Sequence, residues 1–363
     1  MNAKLFLRWI FVLSLTGIVA ALSLGAGLLG LGNPAAEVHG KAAALEAEGA
    51  FLPVVVKNSD SSDCSAIQSA INSLPATGGQ VIIASGIYTC ATALVIDRSH
   101  VELVGQGPAT VLRLADGANS PVLVVGQTTT PPALLREHIR IANLSIDGNR
   151  TMQSQECWGG SCDSGGLTYI RNSGIVLRHV SDVKIENVSV KSARSGGLVT
   201  EKVCQRVTVE SFTSSDNEFD GIALYETENS LFTGLHLHDN PYAGISLDIR
   251  FDHNIISHAV LTDNGKQGIF MRDSRDNMFS DIQIRGSGEQ GLFLAQVDSD
   301  TTKAAAGNTF SGLVVSGSAQ AGMRVNDASC INNLVTGAQF IENQSCISEQ
   351  VDGLVQQIGV VCR

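Results

Sequence analysis

Acidic and amide side chains surround an apolar core in the stretch DNEFDGIALYETEN, residues 216–229. Carboxylates in such a cluster transfer protons in many enzymes, or bind a cation such as Ca²⁺. The same residue types also suit tight turns, because Asn and Asp tolerate a left-handed backbone. Whether this stretch predicts chemistry or a turn depends on which of its residues recur along the chain.

A motif of glycine followed by apolar residues two apart recurs at a nearly constant spacing. It begins, in chain order, at Gly174, Gly197, Gly221, Gly244, Gly268, Gly291 and Gly322. Successive motifs lie 23 or 24 residues apart until the last interval, which is 31. This period is too short for a propeller blade and lacks the helical half of a leucine-rich repeat. It predicts an all-β parallel β-helix, with a loop inserted in the long interval.

The repeat separates structural positions from candidates for chemistry. Asp216–Asn217 returns as Asp239–Asn240 and Asp263–Asn264 at the same distance before the glycine, which indicates a ladder of turns. Asp220 and Glu226 do not recur as acids in the neighbouring coils and remain candidates for chemistry. The apolar positions are expected to face a shared core: Ile222, Leu224, Ile245, Leu247, Ile269 and Met271.

The segment CSAIQSAINSLP has the apolar spacing of a short helix, with Ile67, Ala70, Ile71 and Leu74 on one face. A β-helix exposes strand edges at its ends, and a helix over the first coil blocks edge-to-edge association. The sequence therefore predicts a short N-terminal capping helix.

A family resemblance adds to this interpretation. AIQSAINSLPATGGQVIIASGIYT followed by VELVGQGPATVLRL resembles the opening of the pectate lyase-like superfamily of right-handed parallel β-helices. The repeats, especially FDGIALYETENSLF, resemble those of mannuronan C5-epimerases and related carbohydrate-binding β-helix proteins. The resemblance spans residues 63–345 and implies a right-handed, single-stranded β-helix with a polysaccharide as its partner.

Only part of the catalytic motifs known in the family is present in this sequence. The polygalacturonase pattern is represented by Asp220 alone, since PYAGIS and KQGIFM stand where the other acidic residues belong. The Asp-Pro-His motif of mannuronan epimerases is also absent, and the nearest match is Asp252–His253 without the proline. Hydrolysis by paired carboxylates is therefore disfavoured.

Stacking of the coils predicts an outward-facing column four residues after each glycine. Its members are Arg178, Glu201, Tyr225, Asp248 and Arg272. The next position adds His179, Lys202, Glu226 and Asp273. Such a strip suits a groove for an acidic sugar chain, although a solvated charged face would have the same composition.

Abstraction of the C5 proton of a uronate requires a neutralised sugar carboxylate and a base. For a lyase or C5-epimerase we expect Arg272, Arg250 or Lys202 to neutralise the carboxylate. Tyr225 or His253 would then exchange the proton. The alternative is a non-catalytic carbohydrate-binding or surface-structural protein, so whether the protein is an enzyme stays open.

Further residues are candidates for binding substrate or a metal ion. Those assigned to substrate binding are Glu201, Asp220, Glu226, Asp248, Asp273 and Trp158. Trp158 lies in a long interruption between early coils, where an aromatic ring can stack on a sugar. If Ca²⁺ is used as a cofactor, the oxygens of Glu226, Asp248 and Asp273 would hold it.

The composition of the N-terminal segment and the net charge indicate where the protein is located and which partners it can bind. Residues 1–36 have the composition of a signal peptide or of a membrane anchor formed by residues 9–32, followed by a linker at 37–53 and the β-helix domain at 54–363. The location would be secreted, periplasmic or at the cell surface. A net charge of -11 argues against nucleic acid as a partner.

The eight cysteines of an exported chain predict disulfides. Close pairs in the sequence are Cys64/Cys90, Cys157/Cys162 and Cys330/Cys346, while Cys204 and Cys362 have no assigned partner.

Overall fold

The computed structural model of the protein describes residues 53–57, 62–157, 162 and 167–363. Trp158 and the predicted signal or anchor segment lie outside the described residues, as does the linker apart from Pro53. Those assignments stay predictions. No helix in the described part has both the length and the apolarity that a membrane span requires.

Strands make up nearly all of the regular structure of the described residues. Strands β1–β10 are Val54–Val56, Gly79–Ile83, Gly86–Cys90, Leu94–Ile96, Val101–Gly105, Thr110–Leu114, Leu123–Gly126, Arg136–Asp147, Ile175–Arg178 and Val180–Lys191. Strands β11–β20 are Leu198–Glu201, Cys204–Gln205, Thr208–Ser215, Ile222–Glu228, Leu231–His238, Ile245–Asp252, Ile255–Thr262, Ile269–Met271, Ser274–Arg275 and Met278–Arg285. Strands β21–β31 are Leu292–Leu294, Gln296–Val297, Asp300–Ala304, Thr309–Ser311, Val314–Ser316, Ala321–Val325, Asn333–Thr336, Gln339–Ile341, Ser345–Glu349, Val355–Ile358 and Val361–Cys362. The helix α1 is Cys64–Ser73, and short 3₁₀ turns occupy Arg150–Met152 and Leu167–Tyr169.

The strands stack in parallel into a right-handed β-solenoid of about 12 turns, which confirms the predicted fold. Three faces run along it. The first face contains β4, β7, β9, β11, β14, β16, β18, β21, β26 and β29 in that order of pairing. The long strands β8, β10, β13, β15, β17 and β20 turn from the second face into the third. In these middle coils, one strand therefore serves both the second and the third face.

The core is formed as the repeat predicts. Ile222, Ile245 and Ile269 stand at the same level of successive first-face strands, and all are fully buried. Leu224, Leu247 and Met271 are likewise inaccessible to solvent. Burying one such side chain contributes roughly 1.5–3 kcal/mol, and repetition in every coil explains how a slender solenoid remains stable.

The helix α1 closes the N-terminal end and confirms the predicted cap. Asp63 begins the helix by accepting a hydrogen bond from the backbone N–H of Ser65 at 2.9 Å. Ile67, at the centre of its apolar face, is fully buried. The Gln68 amide bonds both backbone groups of Val95, accepting from its N–H at 2.8 Å and donating to its C=O at 3.0 Å. The helix thus covers a strand edge that would otherwise be exposed.

The recurrent Asp-Asn pairs form the turn ladder that the sequence predicts. Asn217 donates from its side-chain amide to the Asn240 Oδ1 at 2.9 Å, and Asn240 donates to the Asn264 Oδ1 at 3.0 Å. All three are buried. The preceding aspartates have left-handed backbones, with φ of 56° at Asp216 and at Asp239. We call Asn217, Asn240 and Asn264 the asparagine ladder.

Two of the three proposed disulfides are confirmed, Cys64–Cys90 and Cys157–Cys162. The third pairing was wrong, because Cys346 bonds Cys362 across a Cα–Cα distance of 5.7 Å. Cys330 is instead a buried free thiol in the core, as is Cys204.

The insertion predicted in the 31-residue interval is more ordered than a loop. Strands β22 and β23 pair there as an antiparallel hairpin, the one sheet in the described part that lies outside the solenoid ladder. The hairpin is tied to the coil below it by a hydrogen bond from the Arg275 guanidinium to the Thr302 carbonyl.

Candidate functional site

A cleft of about 360 Å³ opens on the first face around the coils that begin at Gly221, Gly244 and Gly268. We call it the first-face cleft. Four residues predicted from the sequence line it: Asp220, Tyr225, Asp248 and Arg272. The residues that the prediction missed are Arg171, Phe219, Tyr242, Ala243, Ser246, Lys266, Gln267, Phe270 and Glu289.

Most of the missed residues follow the same alternation as the predicted column. Phe219, Tyr242, Lys266 and Glu289 stand two residues before a repeat glycine, and Phe270 stands two residues after one. Positions separated by an even number of residues share a face of a strand. The signal was therefore present in the sequence, but only the positions four and five residues after the glycine were followed.

The stacking of the predicted column needs a correction between two coils. Tyr225 pairs with Ile249 and not with Asp248, because the register shifts after Ala223. Asp248 is the additional residue of its coil, which also explains the spacing of 24 there. Both Tyr225 and Asp248 nevertheless reach the first-face cleft.

Asp220 has the chemistry of a proton-transfer group. Its Oδ1 accepts a hydrogen bond from the backbone N–H of Ala243 at 2.9 Å. Burial raises the pKa of this carboxyl to about 7, opposed by that hydrogen bond and by the positive charges of Arg171 and Lys266. Part of the residue still reaches the cleft. Near neutral pH both protonation states are populated, as a general acid or base requires.

Tyr225 is a candidate proton donor beside Asp220. Burial raises the pKa of its phenol, and the negative charge of Asp220 raises it further, while a hydrogen bond with Ser246 acts in the opposite direction. The hydroxyl therefore keeps its proton at neutral pH. The cleft thus combines a group that gains and loses a proton near pH 7 with one that stays protonated.

Arg272 and Asp248 form a two-pronged ion pair within the cleft. The Nη2 of Arg272 donates to the Asp248 Oδ2 at 2.7 Å, and its Nε donates to Oδ1 at 2.5 Å. The hydrogen bond to Asp248 raises the pKa of the guanidinium. The same guanidinium lies 5.2 Å from the centre of the Phe270 ring. Arg272 is therefore already paired with a carboxylate before any substrate binds.

Several aromatic rings line the cleft. Phe219 and Tyr242 stack with their ring centres 4.4 Å apart. The Lys266 Nζ lies 4.3 Å from the centre of the Tyr242 ring. Phe270 stacks on Phe293 of the next coil at 5.6 Å, which extends the aromatic surface along the solenoid. Such surfaces suit the apolar faces of sugar rings.

Three of the predicted site residues occupy a different corner of the coil. Lys202, Glu226 and Asp273 have left-handed backbones that end the first face, with φ of 62°, 49° and 41°. Arg250 lies at the same corner and donates to the Glu226 Oε2 at 2.6 Å. His253 begins the following turn, where its N–H donates to the Arg275 carbonyl. None of these five lines the first-face cleft.

In the early part of the predicted column, Arg178 is buried and Glu201 is only partly exposed. Glu201 pairs with the Arg178 Nε at 2.6 Å, and Arg178 is fully buried. Its guanidinium also donates to the Gln127 carbonyl and to the Thr130 hydroxyl, both at 3.0 Å. The outward exposure expected for Arg178 was wrong, because the chain around Gln127 and Thr130 covers it.

The three carboxylates considered for calcium do not converge in the described part of the chain. Asp248 is paired with Arg272, and Glu226 with Arg250. Asp273 is buried and accepts the backbone N–H of Arg250 at 3.2 Å. These three residues have no shared geometry that supports a calcium site.

The comparisons with known proteins agree with the solenoid. Residues 166–310 match the family described as the right handed beta helix region. A search of curated proteins finds no match to the sequence. The family match and the fold together confirm the resemblance to right-handed parallel β-helix proteins.

Several solved structures share the fold. ORF18 of Geobacillus virus E2 has a TM-score of 0.62 and 15% identity over 85% of this chain and 60% of that chain, so this chain spans about three fifths of the viral protein. The A-module of a mannuronan C-5 epimerase from Azotobacter vinelandii has a TM-score of 0.58 and 16% identity over 85% and 99%. An endo-xylogalacturonan hydrolase from Aspergillus tubingensis has a TM-score of 0.62 and 12% identity over 86% and 93%. An alginate lyase and a pectate lyase are also similar. Identities this low establish the fold alone.

Proposed function

We propose that the protein acts on a uronate-containing polysaccharide by abstracting the C5 proton, as a lyase or a C5-epimerase. The observation that carries this proposal is the meeting of Asp220 and Tyr225 in the first-face cleft. One has a pKa of about 7, and the other keeps its proton. These are the two states that a base and an acid need at neutral pH.

The cleft also supplies positive charge for the sugar carboxylate. Arg171 and Lys266 line it, and both lower the pKa of Asp220 through their charge. A cation beside the uronate carboxylate stabilises the negative charge that develops when the C5 proton leaves. Lys266 and Arg171 take the neutralising role that the sequence assigned to Arg272, Arg250 or Lys202.

The proton balance distinguishes the two reactions. Asp220 accepts the C5 proton in either case. In a lyase, the C4–O bond then breaks, a C4=C5 double bond forms, and Tyr225 gives its proton to the leaving oxygen. In an epimerase, no bond to oxygen breaks and Tyr225 returns a proton to the opposite face of C5.

Arg272 has a positioning role in this proposal. Its ion pair with Asp248 fixes both side chains beside the reacting groups. A charge that is already paired binds a substrate carboxylate less readily than an unpaired one. We therefore assign Arg272 to the shape of the cleft and not to neutralising the sugar carboxylate.

A second candidate is carbohydrate binding without turnover. The aromatic surface favours it, because Phe270 and Phe293 continue that surface beyond the proton-transfer residues. An Asp220→Asn variant distinguishes the two candidates, because an enzyme would lose turnover with this change. A binding protein would keep its affinity for the polymer and would have no turnover to lose.

The solved β-helix structures named for polysaccharide chemistry are consistent with a polysaccharide as the partner. The three disulfides favour an oxidising, extracellular compartment. Export by the N-terminal segment is therefore part of the proposal.

Proton NMR of polyuronates incubated with the protein tests the function. Alginate, pectate and other polyuronates are incubated in D₂O with and without calcium. Deuterium at C5 with inverted configuration identifies an epimerase, and unsaturated uronate signals identify a lyase. New reducing ends without either signal would contradict C5 chemistry, and polymers that all remain unchanged would favour the binding function.

A further inference from the structure

A second group of chemically active side chains lies away from the first-face cleft, near the start of the second face. Glu137 and His138 belong to β8, and Asp182 belongs to β10. The two strands pair in parallel with Ser181 opposite Glu137, which places His138 and Asp182 at the same level of adjacent coils. The backbones of both are left-handed, with φ of 56° and 53°.

The ligand atoms of these three residues converge. One carboxylate oxygen of Glu137, one ring nitrogen of His138 and one carboxylate oxygen of Asp182 all lie within 4.8 Å of one another. Within the described residues, no other three His, Cys, Asp or Glu side chains converge in this way. The convergence is produced by the stacking of two coils, which the sequence spacing does not reveal.

A second imidazole lies beside the group. His100 occupies the same corner in the preceding coil, with φ of 59°, and its N–H donates to the Glu137 carbonyl at 2.9 Å. The His100 and His138 rings stack with their centres 5.0 Å apart and an angle of 20° between the planes. Both residues are exposed, so each ring has room to rotate.

Asp182 is oriented by its neighbours. Arg206 donates to it through Nε at 2.8 Å and through Nη2 at 2.8 Å, and the Ser181 hydroxyl donates at 2.6 Å. These contacts hold the carboxylate in place, but they also place a cation where a metal ion would compete with it. Arg206 therefore positions Asp182 and weakens its hold on any ion.

We propose that Glu137, His138 and Asp182 bind a divalent transition metal ion such as Zn²⁺, with His100 as a fourth ligand after rotation of its ring. Imidazole nitrogen combined with carboxylate oxygen suits zinc, whereas Ca²⁺ prefers oxygen ligands throughout. Two carboxylates also supply the negative charge that a dication needs. The ion would link three successive coils where β8 begins.

Titration calorimetry of the full chain with ZnCl₂, and separately with CaCl₂, tests the site. One equivalent of zinc should bind, with calcium binding more weakly. His138→Ala should lower the zinc affinity about tenfold or more, since even residues that only support a metal ligand have effects of that size. Absent zinc binding, preferred calcium binding, or equal zinc affinity in the wild type and His138→Ala would each overturn the proposal.

Two further variants sharpen the test. Asp182→Asn removes a charged ligand and should lower the zinc affinity about tenfold, and an affinity equal to that of the wild type would contradict Asp182 as a ligand. His258→Ala is the matched control, because His258 is also exposed and faces a carboxylate, that of Asp281 at 3.9 Å, but has no third ligand among the residues that the structure describes. Its zinc affinity should equal that of the wild type. Circular dichroism without metal should show that each variant folds.

Discussion

The three coils that begin at Gly221, Gly244 and Gly268 are alike on one side and differ on the other. On one side, the asparagine ladder places the identical residue in each coil, in the identical bonding pattern. On the other, the position two residues before the glycine changes from Phe219 to Tyr242 to Lys266. Backbone and amide groups buried at a corner must be satisfied in the same way in every coil. The first face has no such requirement, so its side chains are available for a site.

This contrast answers the question raised by residues 216–229. Asn217 is structural, and so is the turn at Asp216. Asp220, four residues later, has a different environment and a pKa near neutrality. The stretch therefore contains Asn217, a member of the asparagine ladder, and Asp220, which lines the first-face cleft.

The largest expected effect belongs to Asp220→Asn. The amide oxygen still accepts the Ala243 N–H, so the fold should be retained while the base is lost. We expect turnover of the polyuronate to fall by about 10²–10⁴-fold. Asp239→Asn is the matched control on the ladder side, at an exposed carboxylate, and should leave the rate unchanged. Equal rates for Asp220→Asn and the wild type would remove Asp220 from the mechanism.

The largest effect on stability belongs to the ladder. Asn240→Ala removes the oxygen that accepts from both the backbone N–H and the side-chain amide of Asn217, and the amide that donates to the Ser214 carbonyl and to the Asn264 Oδ1, all at a buried site. We expect a loss of about 2–4 kcal/mol in the free energy of unfolding, measured by thermal unfolding. Gln283→Ala removes an exposed amide from a nearby strand and should change stability by less than about 0.5 kcal/mol. Similar losses of unfolding free energy in both variants would show that the ladder stabilises the fold no more than an exposed amide does.

Tyr225→Phe should have a smaller effect on turnover than Asp220→Asn. The ring and its packing remain, and only the proton donor is removed. We expect a rate loss on the order of 10–10²-fold at pH 7, because general acid catalysis contributes at least that range. Isothermal titration with the polymer should show an affinity close to that of the wild type. A large loss of affinity with an unchanged rate would make Tyr225 a binding residue.

A pH dependence should link activity and stability. Asp220 ionises near pH 4 in the unfolded chain and near pH 7 in the fold. Between these values the folded protein keeps a proton that the unfolded chain has lost, so this group's contribution to stability falls as pH rises. Turnover should rise through pH 7 as the base forms. Asp220→Asn should flatten the stability profile, and an unchanged profile would contradict the raised pKa.

The fold could be predicted from the sequence because the repeat depends on the spacing of residues that are close together in the chain. Glycine spacing, alternating apolar residues and the Asp-Asn turns locate the core and the ladder correctly. The site was only half found. Tyr225, Asp248 and Arg272 came from counting along one column, and Asp220 from being an acid that does not recur in the neighbouring coils. Lys202, in contrast, lies at a left-handed corner that counting treats as strand.

The features that could not be predicted from the sequence depend on contacts between coils. The register shift at Asp248 and the covering of Arg178 arise from neighbouring coils and from a distant segment. The pairing of Cys346 with Cys362 depends in the same way on how the last coils stack. Such features require the three-dimensional packing.

The central claim is that Asp220 removes the C5 proton of a bound uronate. It is tested most directly by proton NMR of a polyuronate in D₂O at pH 8, with the wild type and Asp220→Asn at equal concentration. We predict that the wild type introduces deuterium at C5 or forms unsaturated uronate, and that the variant does neither on the same timescale. Equal C5 chemistry by the two proteins would contradict the claim.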